Sequence, residues 1–156
     1  MKKLVFFMVA VLLANATSPA LLGGVPSDRA LYCGGTVAAV PGNTEGAVTT
    51  TDERVFVFSY RSARFTIPYE RINLVEFGQK AGRRLGLALA VSPLLLLSKK
   101  RRHFLTIHFQ DEAGQQQAIV LELGKKIVRT TLASLEARTC LKIEYENEEA
   151  RHTGRG

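Results

Sequence analysis

The sequence lacks the residue groupings that usually announce chemistry. No Cys-x-x-Cys, His-Glu-x-x-His or comparable zinc-binding spacing occurs in it. Ser59, Ser62, Ser92, Ser98 and Ser134 all lie outside a Gly-x-Ser-x-Gly context. The pairs Gly23-Gly24 and Gly34-Gly35 do not lead into phosphate-binding loops. His103 and His108 are five apart on a predicted strand, so they face opposite sides and cannot chelate together, and His152 lies near the C-terminal end. The carboxylates Asp111 and Glu112 fall in a turn, where such groups are usually solvated. These absences predict no catalytic, metal-binding or cofactor-binding residue, and no enzyme.

Long hydrophobic runs are also missing. Leu4 to Leu13 is an apolar run of ten residues and Leu85 to Leu97 one of thirteen broken by Ser92 and Pro93. Both fall short of the roughly 17 residues needed to span a bilayer as a helix. Ten residues make about 15 Å of helix, roughly half a hydrocarbon core. With Lys2 and Lys3 before it and Ala14-Asn15-Ala16 after it, the first run predicts a secretory signal peptide over residues 1–16. The Pro-, Gly- and Ser-containing stretch 17–28 then reads as a loose leader. No lipobox precedes Cys33, because Tyr32 stands where a small residue is needed. The expectation is an exported protein, periplasmic or associated with the cell envelope.

Cysteine is scarce: Cys33 and Cys140 are the two in the chain. In an oxidising compartment they form a candidate disulfide, the alternative being two separate thiols, one or both buried as small hydrophobes, and both readings stay open here. One-signed charge is scarce too, once its location is considered. The net charge of +7 falls to +5 without Lys2 and Lys3, and to −1 without Arg83, Arg84, Lys99, Lys100, Arg101 and Arg102. The excess of cations is therefore local, flanking one apolar segment. Aromatic residues hardly interleave with it, Phe104 alone lying nearby, so nucleic acid is not an expected partner.

What is present is strand patterning. At 156 residues, with 46% apolar and 22% charged side chains, the chain is long enough for one domain with a core, over 29–145. A first strand at Leu31 to Val40 is followed by the turn Pro41 to Gly46 and a strand at Ala47 to Thr51. Val55 to Phe58 is apolar on both faces, whereas Phe65 and Ile67 alternate with Arg64 and Thr66. Pro68 ends that strand and Ile72 to Phe77 resumes extended structure. Strands at His103 to Gln110 and from Ile119 to Leu123 flank the hairpin turn Asp111 to Gly114. From Lys125 to Arg138 the period changes: Ile127, Val128, Thr131, Leu132 and Leu135 form one helical stripe. A short strand at Leu141 to Tyr145 and a mobile polar tail over 146–156 complete the reading.

Short antiparallel strands closed by one amphipathic helix resemble the pleckstrin-homology superfold, particularly its bacterial and GRAM-like members. Gly46-Ala47-Val48-Thr49-Thr50-Thr51 resembles that family's opening strand, with polar Thr50 in an apolar slot. Asp52 to Phe58 is similar to the turn and strand that follow, and Phe65 to Ile72 to its I-P-x-x-x-I passage. The resemblance covers Ala47 to Arg138. It implies a β-rich α+β fold, a small antiparallel barrel closed by the C-terminal helix, and a binding or scaffolding role. Phosphoinositide binding does not carry over, because the early strand loop lacks clustered Lys and Arg.

The departure from the family is an apolar insertion, Gly78 to Ser98, expected to be helical. Gly78, Gly82 and Gly86 fall on one helix face, a spacing that allows close helix packing. Leu94, Leu95, Leu96 and Leu97, with Arg83, Arg84 and Lys99, Lys100, Arg101 and Arg102 beside them, suit contact with an anionic membrane surface or a protein partner. The alternatives are a core helix and strand with a solvated basic rim, or self-assembly of a structural envelope protein through the glycine face.

Overall fold

The computed structural model describes residues 25–79, 90–91 and 102–155. Its strands are β1 (Ala30–Gly35), β2 (Thr44–Thr49), β3 (Val55–Tyr60), β4 (Ala63–Pro68), β5 (Ile72–Gly78), β6 (Ala90–Val91), β7 (Phe104–Gln110), β8 (Gln116–Leu123) and β9 (Glu144–Tyr145). Two helices, α1 (Val128–Thr139) and α2 (Glu148–Arg155), follow β8 and β9. The fold is mainly β. Hydrogen bonding links the strands in the order β4-β3-β2-β1-β8-β7-β5-β9, with β6 joined to β1 off that path.

Local chemistry makes the turns. Asp52 Oδ1 accepts the backbone N–H groups of Arg54 (2.7 Å) and Val55 (3.0 Å), which folds the chain from β2 back into β3. Asp111 Oδ1 accepts those of Ala113 (2.9 Å) and Gln115 (2.8 Å), and Gly114 takes a left-handed φ of 76° between β7 and β8. The two-residue connection Arg61-Ser62 joins β3 to β4, with Arg61 at φ 48°. In β3, Phe56, Val57 and Phe58 are all buried, as the two-sided apolar reading requires. Ile67 is buried while Arg64 and Thr66 are exposed, as alternation requires.

One face of the sheet and the stripe of α1 make the core. Tyr32, Phe56, Phe58, Ile67, Phe77, Leu105, Ile107, Ile119, Leu121 and Leu123 meet Val128, Leu132 and Leu135 there. The helix ends at Cys140, left-handed at φ 57°, whose N–H donates to the Glu136 carbonyl.

Several expectations are corrected. The strand path is open, with β4 and β9 at its ends, so no closed barrel forms among the described residues. After Pro68 a 3-10 turn at Tyr69–Arg71 carries the chain from β4 into β5. The sheet is mixed, because β9 runs parallel to β5. The first strand is shorter than Leu31 to Val40: a bulge follows Tyr32, and at Thr36 the N–H donates to the Ala118 carbonyl (2.9 Å) as the chain turns away. Gly35, at φ 155°, sits where a Cβ would overlap the Ala118 carbonyl oxygen. Residues 25–28 are tied down, with the Ser27 carbonyl accepting from Lys126 N–H (2.8 Å).

The polar C-terminal stretch forms a packed helix instead of a tail. Asn147 Oδ1 caps α2 by accepting from Ala150 N–H (2.8 Å). Ala150 and Gly154, four apart, are buried on one helix face, and a Cβ on Gly154 would crowd Tyr145 and Leu132. Arg155 reaches Glu136 (3.2 Å) and lies 5.5 Å over the Tyr145 ring. The signal and most of the leader (1–24) lie outside the described residues, as does the insertion except at Gly78, Gln79 and β6. There Ala90 and Val91 pair with Gly35 and Gly34, an extended conformation where a helix was expected.

Candidate functional site

The paired strands β7 and β8 are buried on both faces over most of their length. Opposite the core, Phe104, Thr106 and His108 of β7 share a face with Ala118, Val120 and Glu122 of β8, all of them buried. The polar groups on this face are paired. Arg102 Nη1 donates to Glu122 Oε2 at 2.7 Å, with side chains only 9% and 4% exposed. His108 Nε2 lies 2.9 Å from Glu76 Oε2. Cys33, packed with Phe104 and Val120, has its thiol pushed up to about 12, by burial first and then by the Glu122 carboxylate, against a weaker pull from the Glu122 backbone and Arg102. His103 stacks on Phe77 at 6.2 Å, and burial together with Lys125 lowers its affinity for a proton.

This geometry redistributes the residues singled out from the sequence. Arg102 belongs to a buried ion pair and not to an exposed cationic rim, since it precedes β7 directly and faces Glu122 across the sheet. Gly78 ends β5 opposite Phe104, so it is a strand residue and not part of a helix-packing face. The candidate disulfide does not form: both thiols are free. Cys33 lies in the cluster opposite the core and Cys140 caps the helix packed on the core, so the sheet separates them. Arg83, Arg84, Leu94, Leu95, Leu96, Leu97, Lys99, Lys100, Arg101, Gly82 and Gly86 lie outside the described residues. Among the described residues, no group of three or more His, Cys, Asp or Glu is placed to hold a metal ion, and no helix is long and apolar enough to cross a membrane.

A groove on the other side of the molecule is the better candidate. It has a volume of about 570 Å³ and lies between the β2–β3 turn, the 3-10 turn after β4 and the C-terminal end of α1. Val55 and Pro68 give it apolar surface; Glu53, Arg54, Glu70 and Arg138 give it charges of both signs. Tyr69 is placed there by its own N–H, which donates to the Arg54 carbonyl at 2.9 Å. Tyr69 is 4% exposed, and its hydroxyl has no hydrogen-bond partner among the described residues. Burial raises the hydroxyl's pKa, with Arg138 opposing and Asp52 adding, so at neutral pH it is a donor.

Two polar side chains at or beside the groove are committed elsewhere. Asp52, with one oxygen accepting two backbone N–H groups, is held below its ordinary pKa and stays ionised. The Thr139 hydroxyl donates to the Leu135 carbonyl (2.7 Å) and accepts from Leu141 N–H (3.2 Å). The groove therefore sets Arg54 and Arg138 beside Glu53 and Glu70 around Val55, Pro68 and Tyr69. Sequence reasoning missed it because Arg54, Tyr69 and Arg138 are far apart in the chain. The I-P-x-x-x-I passage contained Tyr69, but nothing in that pattern marks a hydroxyl left without a partner. No protein-family model and no curated protein matches this chain.

Proposed function

We propose that this chain is a non-catalytic, exported binding or scaffolding module of pleckstrin-homology-like type, whose ligand enters the groove at Tyr69. The observation that carries the reading is a groove of ligand size lined by Val55, Pro68 and Tyr69 together with side chains of both charges. The scaffold assignment is supported by the strand order β4-β3-β2-β1-β8-β7-β5 with a helix packed on the core directly after β8. The resemblance over Ala47 to Arg138 implies a small antiparallel barrel closed by that helix, and the open strand path agrees with it in strand content and in the helix that follows β8. An additional contact with an anionic membrane surface would draw on Arg83, Arg84, Lys99, Lys100 and Arg101, without Arg102.

The test is an NMR titration of the ¹⁵N-labelled protein with a panel of small acids, amines, sugar phosphates and short peptides. Shifts concentrated at Arg54, Tyr69 and Arg138, with each compound recovered unchanged, are expected. Chemical turnover of a panel member, or shifts that avoid the groove throughout, would overturn the reading.

A further inference from the structure

We propose that β4 is the interface of a homodimer, pairing edge to edge with β4 of a second copy of this chain. The strand ends the hydrogen-bonded path, and its register with β3 runs without a shift from Tyr60↔Ala63 to Val55↔Pro68. Across their two-residue turn, the pairs Tyr60–Ala63, Phe58–Phe65 and Phe56–Ile67 are the ones that exchange hydrogen bonds, and the bond from Tyr69 N–H to the Arg54 carbonyl continues the series. The residues between them, Arg64 and Thr66, therefore turn their N–H and C=O groups outward. Both residues are exposed, and no backbone group among the described residues meets them. The other end of the path is blunted instead: β9 has two residues, Glu146 N–H donates to the Phe77 carbonyl (2.9 Å), and Gly154 of α2 packs on Tyr145.

The edge is complementary to itself in one antiparallel register. With Phe65 on a two-fold axis, Arg64 stands opposite the second copy's Thr66, and every outward N–H and C=O of these residues finds a partner. A slide by one pair sets Arg64 against Arg64, like charges directly opposed. A slide the other way sets the Arg64 carbonyl against Pro68, which has no N–H to give. The favoured register also lays half-buried Phe65 beside its counterpart, an aromatic pair across the seam. Beyond the paired residues it directs Arg61 of each copy toward Glu70 of the other. Both side chains are exposed, and neither has an ion-pair partner among the described residues. Charge complementarity thus falls at both ends of the seam and backbone complementarity at its centre. So short an edge buries less than a standard interface, and the dimer is weak, half-associated between about 10 µM and 1 mM.

The experiment is sedimentation equilibrium of the full chain up to about 1 mM, with amide hydrogen exchange read by NMR across the same concentrations. The mass is expected to rise toward that of a dimer, and the Arg64 and Thr66 amides to become protected as it does. Thr66→Pro removes an outward N–H and leaves the bonds to β3 in place, so it should weaken association by about tenfold or more. Arg61→Glu turns both end contacts into repulsions and should weaken it comparably, while Arg61→Glu combined with Glu70→Arg restores it. Urea midpoints of the variants check the fold, and where Thr66→Pro fails to fold the charge exchange decides alone. A monomer throughout the range, association that neither Thr66→Pro nor Arg61→Glu weakens, or a combined variant as weak as Arg61→Glu would overturn the proposal. A monomer whose Arg64 and Thr66 amides respond to added acetyl-Thr-Glu-Val-Glu-Thr-amide would give the edge to a different extended chain, and overturn the second copy as its occupant.

Discussion

Replacing Arg102 tests the interior of the sheet more sharply than any other change. Its guanidinium lies 2.7 Å from Glu122, and the two side chains are 9% and 4% exposed. At that depth the Glu122 carboxylate depends on a cation: removing one partner of a buried pair costs about 3–5 kcal/mol, because a charge stays behind in a poorly solvated site. Arg102→Met keeps much of the side-chain volume and removes the charge, so the expected loss lies in that range. Against a total stability of roughly 5–15 kcal/mol for a domain, that is a large fraction. Arg102→Met combined with Glu122→Leu removes both charges and should recover most of the loss, since apolar replacement of a whole buried pair is often neutral or stabilising. Urea unfolding followed by circular dichroism, with slopes compared, separates a change in stability from a change in the unfolded state. A loss below about 1 kcal/mol for Arg102→Met would place the pair in the range of solvent-exposed salt bridges and refute the reasoning.

Thiol titration of the native protein should find one rapidly reacting cysteine, exposed Cys140, with Cys33 reacting only on unfolding; two fast thiols would contradict the buried cluster. Cys33 ordinarily ionises near 9 and is held protonated to about 12 in the fold. The Cys33 contribution is therefore constant below about pH 9 and is lost as the pH rises toward 12, and Cys33→Ala should lessen that alkaline decline in urea midpoints measured at successive pH values. Asp111, whose carboxyl is held below its ordinary 3.8 by the Gln115 N–H first and then by the Gln117 side chain, works in the opposite direction. Its contribution is present above pH 3.8 and fades as acidification passes through the lowered value, so Asp111→Ala should reduce stability at pH 6 and flatten the acid limb of the same measurement. Gly35→Ala forces a Cβ against the Ala118 carbonyl and should cost about 3 kcal/mol or more, whereas Gly42→Ala, which meets nothing within 4 Å, should stay within about 0.5 kcal/mol in parallel denaturation curves.

Elements whose cause is local were legible in the sequence. Asp52 and Asp111 fold their own turns through their own side chains, and the stripe Val128, Leu132, Leu135 needs only helical periodicity to be recognised. The features that were missed depend on partners distant in the chain. Helix α2 reads as a polar tail because Ala150 and Gly154 contribute smallness, not hydrophobicity, and smallness matters only once Tyr145 and Leu132 lie against it. Arg102 reads as one of four exposed cations until Glu122, twenty residues on, is placed across the ladder from β7. The β9 pairing is parallel and two residues long, too short to leave a periodic trace. The groove was illegible for the same reason, its arginines and tyrosine being gathered by tertiary structure alone.

The central position of β1 has a kinetic consequence. The meander β2-β3-β4 and the hairpin β7-β8 close short loops and can form early. The seam that unites them joins β1 to β8, where Thr36 and Ala118 exchange hydrogen bonds across 82 residues of sequence. Closing that interval is the entropically expensive step, so the two halves form first and the seam follows. Changes along the seam, at Gly35 or Ala118, should then act mainly by hastening unfolding, while changes in the β3-β4 hairpin should slow folding.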